Sequence, residues 1–459
     1  MKYLLTILPL LLLLFVFGCE PKDEVITTDP NAILEFSADT VLFDTVFVSR
    51  GSVTKRLKVY NRNSKAVRIS EITLAGAASS PYQLTINGLQ SPLASNIELR
   101  GGDSLYVLVK VNINPTQQGQ PFLVADSILF RTNGQEQDVQ LVAYGQNAYF
   151  HRKGSIGTTT WANDKAHVLL DSVLVEEGAI LTIRPSVRIY GYNKAALLIA
   201  GQLQVQGTPQ ERVAFSGYRR EEEYQTAPGQ WEGIRIMATS GGNRIRYADI
   251  KNTRFGLSIE NPGKAGTVIE GCVVAHAFSG GIVALFSDVR VENSLIYNCG
   301  QYGFAGLGGG SYELLYTTIA SYQNQLLRSY PLLSVSAKGY EAGAGGEDMP
   351  LSLRLVNTIV FSDGFSYKDE LLIEPFGAVT EASNNLLRTE VYATQLGGSG
   401  NILNTDPKFK APAKYNFSLD TLSPANGAAK VLPNVLKDIK GATRSTTKPD
   451  IGAYERLVD

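Results

Sequence analysis

The chain has 459 residues, which is enough for two or three domains, and 44% of its residues are hydrophobic. Its 44 glycines, 22 tyrosines and 18 phenylalanines, set against only 3 methionines, favour β-strands and turns over long helices. The formal net charge of -1 excludes a general basic field that would recruit nucleic acid, and we expect no nucleic-acid partner.

Residues 1–18 predict a signal peptide. Lys2 precedes an unbroken apolar segment that ends at Gly18 and Cys19, and this is the pattern of a secretory leader. The segment "VFGC" resembles the lipobox of bacterial lipoproteins, in which the cysteine is acylated and becomes the first mature residue. The resemblance implies that lipid on Cys19 holds the protein to a membrane. An ordinary signal peptide or a single anchor helix is the alternative.

Residues 19–32 predict a tether, because they are mostly polar and contain two prolines. Within them, Lys22, Asp23 and Glu24 resemble the surface-export signal of Bacteroidota lipoproteins. The resemblance implies that the protein is lipid-anchored at the outer membrane and faces the cell surface. The periplasmic face of the same membrane is the alternative location.

Residues 33–146 predict a β-sandwich. About seven short segments alternate apolar and polar residues, and Asn, Gly, Asp and Ser separate them. An "LxF" opening, a "VYNRN" step, a "GGDS" turn and a closing "LVAYG" resemble the immunoglobulin-like modules of the Hydin-type group. The resemblance implies a spacer or a binding platform without chemistry of its own.

Residues 147–459 predict a β-solenoid. The segments YADIKN, GCVVAH, NSLIYN, YTTIAS, NTIVFS and NNLLRT align with an apolar fourth position, at steps of 24, 22, 23, 41 and 27 residues. A repeat of this period, made of short apolar runs and turn residues, is typical of stacked coils. The long step predicts that SYPLLSVSAKGYEAGAGGEDMP is a loop inserted into one coil.

Asparagine recurs in phase within this alignment. The first position contains Asn293, Asn357 and Asn384, and the sixth contains Asn252, His276 and Asn298. In a β-solenoid such side chains stack at intervals of about 4.8 Å. An inward amide at a turn can bind its own backbone and the next coil. We therefore interpret these residues as structural rungs, not as copies of an active site.

Two cysteines remain besides Cys19. Cys272 and Cys299 could pair in an oxidising compartment, but the alignment puts them in different columns. We therefore expect two unpaired, buried thiols.

Several longer phrases resemble the right-handed parallel β-helix of the pectin-lyase-like fold. The phrases "VEEGAILTIRPSVRI", "GQLQVQGTPQERVAFSG" and "WEGIRI" are similar to the start of such domains, and "NTDPKF", "YNFSLDTLSPANGA" and "PDIGAYE" to their closing coil. The predicted fold class is all-β: an immunoglobulin-like β-sandwich followed by a right-handed parallel β-helix.

The resemblance implies two kinds of chemistry to look for. Pectin-lyase-like lyases use calcium held by carboxylates with Arg or Lys as the base, and the hydrolases use paired aspartates. The sequence has no adjacent Asp-Asp and no Gly-His-Gly. We predict no catalytic residue and favour a non-catalytic scaffold that binds a glycan or a partner surface protein. A polysaccharide lyase or glycoside hydrolase acting on acidic glycans is the alternative.

Five residues are candidates for a glycan or cation face. Arg246, Glu270 and Glu292 occupy one position in three successive coils. Two carboxylates one coil apart repel, and a bound calcium ion or a raised pKa would relieve the repulsion. A solvated face with a weak ion pair is the alternative. Tyr297 and Tyr302 are candidate stacking surfaces for sugars, with core packing as the alternative.

Overall fold

The computed structural model describes residues 25–116, 121–322, 328–338, 350–364 and 367–456. The predicted signal peptide, Cys19 and residues 22–24 lie outside the described residues. The chain divides into two compact units, Met1–Gln146 and Asn147–Asp459. Within the described ranges, no helix is long and apolar enough to span a membrane.

Two β-sheets and one short 3₁₀ helix form the first unit. The six-stranded sheet contains Ile26–Thr27, Thr40–Phe47, Ala66–Leu74, Leu93–Leu99, Phe122–Thr132 and Gln135–Gln146. The five-stranded sheet, antiparallel throughout, contains Glu35–Phe36, Lys55–Tyr60, Tyr82–Ile86, Leu89–Gln90 and Ser104–Val111. The 3₁₀ helix is Ala77–Ser79.

Alternating burial explains why the two sheets pack on each other. Along Ser104–Val111 every second side chain is buried, as expected for strands with one face on a core. Phe36 of the five-stranded sheet lies 4.8 Å from Phe130 of the six-stranded sheet, measured between ring centroids. The unit has eleven strands, more than the seven segments that the sequence indicated, in part because "ILEFSADTVLFDTVFVS" bends after Phe36 and supplies a strand to each sheet.

Three long parallel sheets form most of the second unit. Parallel sheet 1 has eleven strands, and parallel sheets 2 and 3 have nine each. Neighbouring strands of one sheet are in most cases three strands apart along the chain, so that each coil adds one strand to each sheet. Long parallel sheets stacked in this way are consistent with a parallel β-helix.

The strands of parallel sheet 1 are Ala148–His151, Ala166–Leu169, Arg188–Gly191, Val213–Gly217, Ala248–Lys251, Val273–Ala275, Leu295–Tyr297, Thr318–Ser321, Ile359–Ser362, Leu386–Leu387 and Ile402–Leu403. Those of parallel sheet 2 are Gly154–Ile156, Val173–Val175, Ala196–Ile199, Gly233–Ile236, Phe255–Glu260, Gly280–Leu285, Tyr302–Leu307, Leu333–Ser336 and Leu371–Glu374. Those of parallel sheet 3 are Thr159–Trp161, Ile180–Ile183, Gln202–Gln206, Arg244–Arg246, Thr267–Glu270, Val289–Glu292, Gly310–Leu315, Leu351–Val356 and Val379–Ser383.

The remaining elements are short. Phe409–Ala411 and Asn416–Leu419 form a two-stranded antiparallel sheet. One α-helical turn is Ala393–Leu396, and the 3₁₀ helices of this unit are Glu222–Tyr224, Phe376–Ala378 and Pro412–Lys414.

Apolar side chains stack in register inside the solenoid. In parallel sheet 3, Ile245 pairs with Ile269, Ile269 with Val291, and Val291 with Leu314. All four are fully buried. Burying one such side chain stabilises the fold by about 1.5–3 kcal/mol, so the stack favours one register over its neighbours.

The prediction for the two inner cysteines is confirmed. Neither Cys272 nor Cys299 is part of a disulfide, and both are buried. Burial raises the pKa of each thiol to about 12, so both remain protonated at neutral pH.

The in-phase asparagines mark a left-handed backbone. All six residues at the first aligned position have positive φ: Tyr247, Gly271, Asn293, Tyr316, Asn357 and Asn384. Asn252, His276 and Asn298 at the sixth position also have positive φ. Among L-residues, asparagine is enriched in this region, which explains why it returns at these turns.

The expected amide-to-amide ladder is wrong at the first aligned position. Asn357 donates to Lys430 O at 2.7 Å and accepts from Lys430 N at 2.8 Å. Asn384 donates to Ala428 O at 3.0 Å, and Asn293 accepts from Arg444 at 2.8 Å. These amides hold the C-terminal segment instead of the next coil, because their turns lie beside that segment.

The predicted closing coil is a side layer. The phrases that resembled it pack against the outer face of parallel sheet 1, where Phe409 and Phe417 join a buried cluster with Leu295 and Tyr297.

The segment that was predicted to be an inserted loop contains a strand, so that prediction is wrong in part. Its "LSVS" stretch is Leu333–Ser336, a buried strand of parallel sheet 2, while residues 339–349 lie outside the described part of the chain.

Candidate functional site

The register places Arg246, Glu270 and Glu292 side by side on parallel sheet 3. Arg246 Nε lies 2.9 Å from Glu270 Oε2, and Arg290 Nη2 lies 2.7 Å from Glu292 Oε2. Each carboxylate of the column therefore already has an arginine partner.

The same face extends this pattern into a ladder of ion pairs. Glu313 binds Arg290 at 2.9 Å and Arg354 at 3.5 Å, and Glu381 binds Arg354 at 2.8 Å and Lys430 at 3.0 Å. Burial raises the pKa of Glu381, but hydrogen bonds from Ser383, Lys430 and Arg354 outweigh it and lower that pKa to about 2.

This face offers little to a cation. Its carboxylates are neutralised by arginine and lysine, and exposed pairs of this kind contribute about 0–1 kcal/mol each. No cluster of three or more His, Cys, Asp or Glu that could hold a metal ion occurs among the residues that the structure describes. The geometry favours the solvated-face interpretation, and a calcium site in the column stays an untested prediction.

Tyr297 is not a sugar platform. Only 6% of its surface is exposed. His276, Tyr415 and Phe417 surround its ring at centroid distances of 5.2, 5.5 and 5.1 Å. Burial raises its pKa well above the usual range, which agrees with a core position. The C-terminal layer covers this ring, and the sequence did not reveal that layer.

Tyr302 lies on an open groove along the outer face of parallel sheet 2. Its ring stacks on that of Tyr330, with centroids 4.7 Å apart and planes 23° apart. Tyr330 is 39% exposed. Tyr302, Leu307 and Tyr330 line two adjoining recesses of 580 and 430 Å³, so the tyrosine pair stands where the two meet.

Five strands form the floor of this groove, from Phe255–Glu260 to Leu371–Glu374. Four strand spacings give a length of about 19 Å. The larger recess is lined by Arg254, Phe255, Ser258, Ser279, Val283, Leu285, Gln301, Tyr302, Leu307, Ser329 and Tyr330. The smaller recess is lined by Tyr302, Leu307, Tyr330, Ser334, Ser336, Lys338, Leu372 and Glu374.

A buried ion pair holds the segment that carries Tyr330. Arg328 Nη2 lies 2.5 Å from Glu370 Oε1, and Arg328 Nη1 lies 2.7 Å from Glu370 Oε2. The two side chains are 1% and 0% exposed. Ser362 Oγ and Leu332 N also donate to the carboxylate, and Arg328 Nη1 donates to Tyr330 O at 3.2 Å.

The groove combines an aromatic platform with small polar groups. Ser258, Ser279 and Gln301 lie on one side of the tyrosine pair, while Lys338 and Glu374 lie on the other. Apolar walls with a few oriented polar groups are typical of small-molecule sites, and volumes of about 300–1,000 Å³ are usual for them. Among the described lining residues, Glu374 alone has a carboxylate.

The sequence pattern predicts Tyr302 as a sugar-binding candidate, but it does not indicate Tyr330, Arg328 or Glu370. Arg328 and Glu370 are 42 positions apart, and neither belongs to an aligned column. A buried Arg-Glu pair has no local sequence signature. Tyr330 is the first aromatic residue of the segment that was predicted to be an inserted loop, and this was the available signal.

Comparisons with known proteins identify no family. No family model and no curated protein matches the chain. Solved structures that match include a PapD-like domain of human CEP192 at 9% identity and TM-score 0.19, covering 28% of this chain and 96% of that chain. The E. coli chaperone DraB matches at 13% identity and TM-score 0.17, covering 24% of this chain and 54% of that chain. A Porphyromonas gingivalis W83 protein of unknown function matches at 10% identity and TM-score 0.19, covering 27% of this chain and 59% of that chain. These TM-scores carry no argument about function.

Proposed function

We propose that this chain is a membrane-anchored surface lipoprotein whose solenoid binds a glycan without cleaving it. In this proposal an immunoglobulin-like sandwich separates the anchor from a right-handed parallel β-helix. The observation that carries the proposal is the stacked pair of Tyr302 and Tyr330 in a groove about 19 Å long.

The chemistry of the groove fits a sugar chain. A sugar ring has apolar C–H faces and a rim of hydroxyl groups. A tyrosine offers a flat apolar surface with a polar tip, and the serine and glutamine side chains beside it can exchange hydrogen bonds with hydroxyls. Because the groove follows several coils, it can accommodate an extended ligand better than a compact one.

The sequence supports the membrane part of the proposal. Gly18 and Cys19 end an apolar segment, and Lys22, Asp23 and Glu24 follow. Acylation at Cys19 would attach the chain to the outer membrane, and the acidic export signal favours the cell surface over the periplasmic face.

Substitution of one tyrosine of the stacked pair tests the binding site. We expect Tyr330→Ala to weaken binding to the best ligand of a glycan panel about ten-fold, because central aromatic residues contribute most of the binding energy at such sites. Tyr192→Ala is the matched control, since Tyr192 is an exposed aromatic that does not line either recess. Calorimetry or immobilised-glycan binding measures both, with thermal unfolding as a check on folding. Equal losses in the two variants would contradict the proposed site.

The same panel separates binding from cleavage. Release of reducing ends or unsaturated products would support the lyase or hydrolase alternative over the non-catalytic one. In that case Glu374→Gln should abolish release while binding persists, because Glu374 is the acidic group in the described lining. If the chain binds a partner surface protein and no glycan, the tyrosine pair is not a glycan-binding site.

A further inference from the structure

The outer face of the five-stranded sheet in the first unit has an excess of positive charge. Arg56 and Lys58 point outward from Lys55–Tyr60, because Leu57 and Val59 between them are buried. Lys110 points outward from the neighbouring strand Ser104–Val111. Arg62 lies exposed just beyond the first of these strands.

Tyrosine rings lie between these cations. Arg62 lies 4.3 Å from the ring centroid of Tyr60, and Lys58 lies 4.9 Å from it. Arg56 lies 4.9 Å and Lys58 5.6 Å from the centroid of Tyr106. The rings hold the cations against the sheet by cation–π contacts, which do not neutralise their charge.

Acidic groups are scarce on this face. Glu35 is the only acidic residue at an outward position of its five strands, all of which the structure describes, and it binds Arg62 at 3.4 Å. Four cations therefore face one carboxylate. We name this surface, formed by Arg56, Lys58, Arg62 and Lys110 together with Tyr60 and Tyr106, the basic face.

On the six-stranded sheet of the same unit, the arginines are paired with carboxylates. Arg68 binds Glu98 at 2.8 Å, and Arg131 binds Glu71 at 2.7 Å and Glu136 at 2.8 Å. Cations on that sheet are neutralised by carboxylates across the strands. The excess charge is thus a property of one face and does not follow from the composition of the unit.

We propose that the basic face docks on an anionic membrane surface. Lysine, arginine and tyrosine interleaved on one face of a sheet suit a membrane interface, where the cations reach lipid phosphates and the rings lie at headgroup level. The proposal rests on the proposed lipid anchor. The predicted tether of residues 19–32 is too long, because Ile26–Thr27 is already a strand of the six-stranded sheet. The seven residues 19–25 that remain span at most about 25 Å, so they keep the first unit close to the membrane.

Lysine labelling of the full chain in vesicles tests the docking. The chain is purified in its mature, membrane-extracted form and reconstituted into phosphatidylcholine vesicles with and without phosphatidylglycerol, and acetylation of single lysines is followed by mass spectrometry. We expect Lys58 and Lys110 to react about five-fold more slowly on the anionic vesicles at low salt. Lys194, an exposed lysine of the second unit, should react equally on both. Raising the salt from about 0.05 M to about 0.5 M should remove the difference.

Charge reversal supplies the matched control. Arg56→Glu with Arg62→Glu should abolish the protection of Lys58 and Lys110. Arg68→Glu with Arg131→Glu makes the same charge change on the other sheet and should preserve it. Equal labelling of the wild-type chain on both vesicles would overturn the docking. So would protection by a soluble anionic polysaccharide but not by vesicles, which would assign the face to a glycan.

The anchor is judged separately. A chain that leaves the vesicles in high salt contradicts the proposed anchoring, while its labelling at low salt still decides the docking. A chain that stays with the vesicles but shows no protection contradicts the docking alone.

Discussion

At the scale of single residues, backbone conformation explains why asparagine recurs in the coils. Asn252, His276 and Asn298 occupy the same turn of three successive coils with φ of 62°, 53° and 50°. A left-handed residue costs about 1–2 kcal/mol for most L-amino acids, and asparagine tolerates it better than most. The turn therefore selects the residue type before any side-chain partner is considered.

Paired substitutions at Asn298 test this explanation. Asn298 accepts a hydrogen bond from Tyr322 N at 3.4 Å, so both Ala and Gly lose that contact. Glycine adopts positive φ freely, whereas alanine is strained there. We expect Asn298→Gly to be more stable than Asn298→Ala by about 1 kcal/mol in urea denaturation. An alanine variant at least as stable as the glycine variant would contradict a backbone origin.

The phase of these residues was predictable, but their partners were not. Apolar alternation and turn residues repeat at each coil, so they place Asn293 and Asn357 at equivalent turns from sequence alone. The partner of Asn357 is Lys430, which lies 73 residues further along the chain. Contacts with a segment outside the repeat leave no periodic trace, and the amide-to-amide prediction failed there.

At the scale of elements, the buried pair of Arg328 and Glu370 positions the segment that carries Tyr330. Removing one partner leaves an uncompensated charge in the interior, so we expect Glu370→Gln to destabilise the fold by about 3–5 kcal/mol. Replacing both, as in Arg328→Met with Glu370→Leu, should recover most of that loss. Because Arg328 also binds Tyr330 O, the double variant should still bind glycan more weakly than the wild type.

The exposed pair of Arg246 and Glu270 provides the matched control. Breaking it by Glu270→Gln should cost less than about 1 kcal/mol and leave glycan binding unchanged. Denaturation midpoints and binding isotherms of the three variants are compared under one buffer. If Glu370→Gln is as mild as Glu270→Gln, the interior pair does not anchor the segment. If the double variant binds glycan like the wild type, the pair does not position Tyr330.

Sequence predicted regular elements better than irregular ones. Side-chain burial alternates with a period of two within a strand, and equivalent strands of successive coils are about 23 residues apart. Both periods can be recognised in a single sequence. The strand Leu333–Ser336 was missed because the long step between coils made it look like part of an insertion. The groove depends on this strand and on residues 328–332, which explains why half of the tyrosine pair was not found.

At the scale of the whole molecule, the three histidines link stability to pH, because His167 and His276 are buried and His151 is half-buried. His151 Nε2 and His167 Nδ1 lie 2.9 Å apart, so protonation of both is unfavourable. His276 packs between Tyr297 and Tyr415, with ring centroids at 5.2 and 4.8 Å. Burial lowers the pKa of each histidine from 6.5 to about 4. Their charge state therefore links global stability to pH.

The direction of this pH dependence follows from the histidine pKa values in the folded and unfolded states. In the unfolded chain a histidine binds a proton near pH 6.5, but in the folded chain only near pH 4. Between these values the unfolded state holds more protons, so the free energy of unfolding falls as pH falls. For His276 the slope is about 1.4 kcal/mol per pH unit, and the total across the window is about 3 kcal/mol.

Substitution of His276 measures the contribution of this one histidine to the pH dependence of stability. We choose His276→Asn because asparagine suits the positive φ of the turn, and Asn252 and Asn298 occupy the same place in the coils on either side. The variant loses ring packing and should be less stable at pH 7, yet its stability should fall less steeply between pH 6 and pH 4.5. Urea denaturation at intervals of pH gives both curves, and their difference removes the carboxylates that titrate in both proteins. We expect that difference to change by about 1.4 kcal/mol per pH unit in favour of the variant. Parallel curves across this range would show that His276 has the same pKa in the folded and unfolded chains, so that burial of its ring does not change the pKa.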